Sequence, residues 1–217
     1  MSIEMIPDGT VALAEPQVSP RDSKRDAFVQ AAREAFFTHG YGNTSMSAIS
    51  AKVGGSKTTL WTYFPSKEDL FTAVVDDLVE RYGRALEVPL DPAEDVRTAL
   101  TRFGMALMET IHSEPIIDMH RLAIGEAARF PELARRMFER GQARGKARLS
   151  GFIAAAMDAG KLRPGDPMTA GRMFAGMLQT GSPQMHMLGM AGTPDEAELV
   201  AEVEAAVDTF MRAWGAD

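Results

Sequence analysis

Cysteine is absent from this chain, and with it go structural disulfides, thiolate zinc sites and cysteine nucleophiles. Long apolar runs are also missing: no stretch of about 18 apolar residues is available to cross a bilayer. The first twenty residues have neither a basic start nor an unbroken apolar segment, so they do not read as a secretory leader. A soluble, cytoplasmic protein with no membrane partner is expected. Strand-like alternation and repeats of fixed period are lacking too, which points away from sheets and solenoids. No Ser/His/Asp set or phosphate-binding loop stands out, and no cofactor is expected.

What is present is helical patterning from end to end. At 217 residues the chain can hold a small domain fused to a larger one. Residues 1–20 hold Pro7, Pro16 and Pro20 without apolar periodicity and read as an unfolded arm. Phe28, Ala31, Ala32, Ala35 and Phe36 then fall on one helix face, which Gly40 and Gly42 terminate. A short helix opening at Thr44 or Ser45 buries Met46, Ile49 and Val53 and stops at Gly54. A second short helix runs from Ser56 to Phe64. Pro65 ends it, and Ser66, with acidic Asp69 three residues on, caps the next helix, whose core face is Phe71, Val74, Val75 and Leu78.

Beyond Pro89 and Pro92, one stripe is Val96, Leu100, Phe103, Leu107 and Ile111, and another is His120, Ala123, Ile124 and Ala127. Pro131 starts a long helix ending at Gly160, and two further helices lie near 167–190 and 194–214. The whole reads as all-α, with about nine helices. The divisions are an arm (1–20), a helix-turn-helix unit (21–67) and a helical ligand-binding and dimerisation domain (68–217).

The net charge of -7 is unevenly spread. Residues 21–67 carry 7 Lys/Arg against 3 Asp/Glu, leaving 16 against 27 in the remainder, a basic unit on an acidic body. Because phosphate attraction is screened over about 8–10 Å, that local excess is what DNA would meet. Helix N-termini headed by Thr44, Ser45 and Ser66 can anchor phosphates. Ser56 opens the second short helix. Lys57, Tyr63 and Lys67 add charge or a phenolic donor at its rim, and Thr58, Thr59 and Thr62 are short enough to let a helix approach base edges. Leu60 and Phe64 should face inward, onto Phe28, Ala32 and Ile49.

The segment from Gly40 to Ile49 and from Gly54 to Phe71 resembles the N-terminal domain of TetR-type transcriptional regulators, in order, spacing and residue type. Arg121 to Leu133 resembles the C-terminal domain of the AefR-like branch. Two positions depart from the family pattern: Gly55 stands where an apolar turn residue is usual, and Trp61 replaces the usual tyrosine. Trp61 is large enough to reach a thymine methyl or a sugar.

The resemblance implies a homodimer on a palindromic operator, with half-sites about 34–36 Å or more apart. It further implies that the last two helices form the interface, and repression is the family's usual mode. Met168, Met173, Phe174, Met177 and Leu178 with Val203, Val207, Phe210 and Trp214 supply apolar surface there. Eleven of the 15 methionines lie between Met105 and Met190. Since methionine adapts to irregular apolar guests, Met105, Met108, Met119, Met137, Met157 and Met177, with His112 and His120, form a candidate pocket for a small hydrophobic effector.

Two other classes stay open at this level. Glu109-x-x-His112 is the spacing of half a di-iron site, and His112 with Asp118 or His120 can be read as metal ligands, which would make the chain a metal-binding bundle enzyme. A hydrophobic carrier would use the methionines but leave 56–67 without a role.

Overall fold

The computed structural model describes residues 20–54 and 57–216, and the sequence-derived arm lies outside them except for Pro20. The head is built from α1 (Pro20–His39), α2 (Met46–Val53) and α3 (Lys57–Tyr63). Ser45, in extended conformation, caps α2 by accepting from the Ala48 amide. Gly54 closes α2 with φ at 70°, where a side-chain-bearing residue would be strained. Ser66 caps α4 (Lys67–Tyr82) by accepting from the Asp69 amide, as its sequence position predicts.

The head's core joins Phe28, Ala32 and Phe36 of α1, Ile49 of α2 and Leu60 with Phe64 of α3. Leu60 and Phe64 therefore point inward as expected. Leu70, Phe71, Val74, Val75 and Leu78 of α4 belong to the same core, and so do Ile116, Met119 and Leu133 from farther along the chain. The fourth helix is thus welded to the head on one side and to the body on the other.

After a short 3-10 turn (Arg84–Leu86), the body comprises α5 (Val96–His112), α6 (Glu114–Glu126), α7 (Pro131–Met137), α8 (Ala143–Asp158), α9 (Pro167–Gln179), α10 (Ser182–Met187) and α11 (Glu196–Trp214). The long helix expected from Pro131 is continuous but passes through a π turn at Phe138–Gln142. Asp95, Asp166 and Asp195 cap α5, α9 and α11, the last with a reciprocal bond from Glu198. The body's own core is a second cluster that includes Leu100, Phe103, Leu149, Ile153, Phe174, Val203, Val207 and Phe210. Helices α5 and α11 approach closely at Gly104, where a Cβ would lie 2.9 Å from Val203 Cγ1. The tail is fastened by the Arg163 amide donating to the Trp214 carbonyl at 2.7 Å. The 167–190 segment is two helices rather than one, and Ile124, expected in a core stripe, is 67% exposed.

Candidate nucleic-acid interface and body cavity

Packing Leu60 inward turns the opposite side of α3 to solvent. Lys57, Thr58, Trp61 and Thr62 are exposed there, Trp61 by 47%. A large exposed indole on a seven-residue helix has no use in the chain's own core. Thr62 donates its hydroxyl to the Thr58 carbonyl at 2.8 Å, which leaves its lone pairs and methyl outward. Thr59 is half-buried. Tyr63 is also half-buried, its ring 6.0 Å from Phe28 and 6.4 Å from Phe64, so it supports the helix as well as bordering its face.

Ser45 stays exposed at the start of α2. Ser56 falls outside the described residues. Two expectations are corrected by placement. Thr44 is turned inward: its hydroxyl lies 2.8 Å from the Gly40 carbonyl and 3.1 Å from that of Ala35, locking the turn instead of facing a ligand. Lys67 folds its ammonium 4.1 Å over the Tyr41 ring. Burial holds the Lys67 ammonium below the ordinary lysine pKa, against the opposing pull of Glu68 and Glu126.

Head and body meet at this same corner. The Gly42 amide donates to Glu126 Oε1 at 2.9 Å, across 84 residues of sequence. Tyr41 meets Phe130 edge-on at 5.0 Å, and Arg136 donates to the Thr72 hydroxyl of α4.

Below it lies a cavity of about 410 Å³, within the range usual for small-molecule sites. Val75, Leu78 and Val79 of α4, Ile116, Met119 and His120 of α6, and residues of the π turn, α8, α9 and α10 line it. Of the sequence-derived candidates, Met119, His120 and Met137 reach the cavity. Met105, Met108, Met157 and Met177 instead pack in or against the body core. Met187, Gln142 and Lys146 line it without having been anticipated. Their signal was present in part: Gln142, Lys146 and Leu149 share one helix face by their i, i+4, i+7 spacing.

His120 is oriented by its surroundings. Nδ1 lies 2.7 Å from the Ile116 carbonyl, which can only accept, so that nitrogen carries the proton. Nε2 is then the acceptor for the Gln142 amide at 3.2 Å. Burial lowers the pKa of His120 from its ordinary value, with the Ile116 bond opposing, so the ring is held neutral.

His112 lies elsewhere, buried in a chain of polar contacts that tie α5 to α10 and α11. Ser182 donates to Glu202 at 2.9 Å, so its oxygen accepts from His112 Nε2 at 2.9 Å, and His112 Nδ1 faces His186 Nδ1 at 3.2 Å. His186 is buried and also contacts Glu114. Burial, then the neighbouring His186, depresses the His112 pKa. Glu109 pairs with Arg84 at 2.9 Å, and Asp118 with Arg121 at 3.3 Å. Glu109, His112, Asp118 and His120 are therefore not brought together as a ligand set.

The interface candidates divide. Phe174, Leu178, Val203, Val207 and Phe210 are buried within the single chain and form its core, a correction to their sequence assignment; Met177 and Trp214 pack against that core. Met168 and Met173, the latter 54% exposed, remain on the outer side of α9.

Comparison with known proteins agrees with this geometry. Residues 28–74 match the family model for bacterial regulatory proteins of the tetR family, and residues 98–216 match that for the AefR-like transcriptional repressor C-terminal domain. The chain is 31% identical over 111 residues to the HTH-type transcriptional repressor ComR of Escherichia coli K12, covering 51% of this chain and 53% of ComR. It is 36% identical over 88 residues to the HTH-type transcriptional activator FasR of Mycolicibacterium smegmatis, covering 39% and 40%. These matches thus span about half, or less, of the curated relatives' length.

Among solved structures, the flavonoid-responsive regulator FrrA superposes with a TM-score of 0.79 at 33% identity, covering 89% of this chain and 97% of FrrA. A TetR family transcriptional regulator from Pseudomonas syringae pv. tomato DC3000 gives 0.73 at 28%, covering 89% and 98%. No helix among the described residues is long and apolar enough to cross a membrane. An exposed α3 set on a small helical head, a body joined to it through α4, and both family matches lead to one conclusion: this chain belongs to the TetR family of DNA-binding transcriptional regulators, which are not enzymes, and it carries an AefR-like C-terminal domain.

Proposed function

We propose that the chain is a cytoplasmic repressor that binds a palindromic operator as a two-fold dimer and is released when a small apolar effector fills the body cavity. The observation that carries this reading is the double duty of α4. Its Leu70, Phe71 and Val74 pack in the head's core, while Val75, Leu78 and Val79 line the cavity. Helix α6 runs in parallel with it functionally: Ile116, Met119 and His120 line the cavity, and Glu126 holds the Gly42 amide. An occupant that prefers one disposition of these helices shifts the spacing of the two reading heads by its differential affinity, typically about 1–3 kcal/mol in such couplings.

In this reading Thr58, Thr59, Trp61 and Thr62 face the major groove, with Ser45, Lys57 and Tyr63 at its phosphate rim. The outward Met168 and Met173 of α9, with the solvent face of α11, meet their two-fold mates. Repression is favoured by the match of residues 98–216 to an AefR-like repressor domain, although ComR is a repressor and FasR an activator.

The test is selection of bound sequences from a random duplex pool, followed by binding with and without candidate apolar compounds. A recovered inverted repeat, bound by dimers and released by a compound, is the expected result. Recovery of no consensus, or of a strictly monomeric complex, would overturn the proposal.

A further inference from the structure

Resting on the reading that the cavity is the effector site, we infer that its ligand is an apolar, aromatic-sized weak acid bound as the anion, with its acidic group at Lys146. Among the described residues, the cavity lining contains one side chain that is cationic at neutral pH, Lys146, and no Asp or Glu. This asymmetry is unusual in a chain whose acidic residues outnumber its basic ones, 30 to 23. Lys146 is half-buried on the first turn of α8, and its ammonium stands 4.9 Å over the Phe138 ring instead of against a carboxylate. A ring face is a weaker partner for an ammonium than an anion is, so the charge is held in place yet remains available.

The neighbouring polar groups complete the site. Gln142, one helical turn before Lys146, donates to His120 Nε2 at 3.2 Å. Its carboxamide is a second polar group in the lining near Lys146. The bond from His120 Nδ1 to the Ile116 carbonyl keeps that ring neutral and fixes its orientation, so it adds no second charge. The π turn at Phe138–Gln142 ends at Gln142, which lines the cavity with Lys146 one turn later. The rest of the wall is uncharged and mostly apolar, with Phe103, Leu107, Ile111, Ile116, Met119 and Leu149 beside the neutral Thr110, Gln179, Thr180 and Gln184. A ligand with a carboxylate or phenolate therefore finds one compensating charge and a donor, whereas an ammonium finds a like charge and no acid.

The test uses three probes on one aromatic body, naphthoate, naphthylmethanol and naphthylmethylammonium, titrated calorimetrically against the full chain, its Lys146→Met and Lys146→Arg variants, and Ala175→Phe, which narrows the cavity. The wild type should bind naphthoate roughly tenfold or more tighter than the alcohol, and the ammonium weakest, a spread on the order of one charge-assisted hydrogen bond. Lys146→Met should abolish the naphthoate preference while leaving alcohol affinity nearly unchanged, and Lys146→Arg should retain it. If the alcohol matches naphthoate in the wild type, or the preference survives in Lys146→Met, the inference is wrong even though Ala175→Phe blocks binding. Binding that Ala175→Phe does not weaken overturns the cavity reading itself, and failure of all three probes to bind overturns both.

Discussion

Lys57→Ala tests the proposed DNA-facing role of α3 apart from its folding role. Lys57 is exposed on the first turn of the helix, so its removal should leave stability within about 0.5 kcal/mol, as for surface changes in general. On an operator, each protomer would lose one phosphate contact and a dimer two. Counterion release contributes about 0.9 to the slope of log K against log salt for each contact, so the slope should fall by about 1.8. At roughly 0.15 M salt those two contacts correspond to about 1.5 log units, or near 2 kcal/mol, and the deficit should shrink as salt rises. Fluorescence anisotropy on a selected operator across a salt series, beside thermal melts, measures both quantities. Lys57→Arg should restore the slope. An Ala variant with unchanged melting and unchanged slope would show that this end of α3 does not approach the backbone, and the proposed docking would have to be abandoned.

Other expectations follow from the same geometry. Ser45→Ala removes the bond to the Ala48 amide and should cost about 1 kcal/mol in a denaturant titration; no loss would mean that the cap contributes nothing. Gly104→Ala places a methyl 2.9 Å from Val203 Cγ1 and should destabilise by about 1–3 kcal/mol through overpacking of α5 on α11. Ala175→Phe, which enlarges a side chain of the cavity lining, should blunt the further release by any effector, which a mobility-shift titration would read. Finally, burial depresses the pKa of His120 and His112 in the folded chain. The unfolded chain therefore binds more protons below the ordinary histidine value of 6.5, and stability present above that pH should fall as pH drops through it. His120→Gln should reduce this loss between about pH 7 and 5.5; an identical pH profile would remove His120 from the account.

The head was legible because its determinants are local. Ser45, Gly54, Pro65 and Ser66 act on the peptide units next to them, and the spacing of Phe28, Ala32 and Phe36 marks a helix face without reference to any neighbour. The body was legible as helices but not as surfaces. Periodicity shows that Phe174, Val203 and Phe210 share apolar faces, yet the same pattern serves a core or an interface. Only the packing of α9 on α5 and α11 buries them in one chain. The methionines illustrate the same limit: Met119 and Met157 are equivalent in sequence terms, while the packing of the helices sets Met119 at the cavity and Met157 against the body core.

By itself, then, the order of residues determined the all-α class, the helix ends and the inward set of the short reading helix, since these depend on interactions within a few residues. Tertiary structure alone decided that Thr44 turns inward, that His112 meets His186 across 74 residues, and that Lys146 is, among the described residues, the one cation of an otherwise uncharged cavity wall. Those outcomes depend on which helix faces oppose each other in space, a property that no periodicity along the chain encodes.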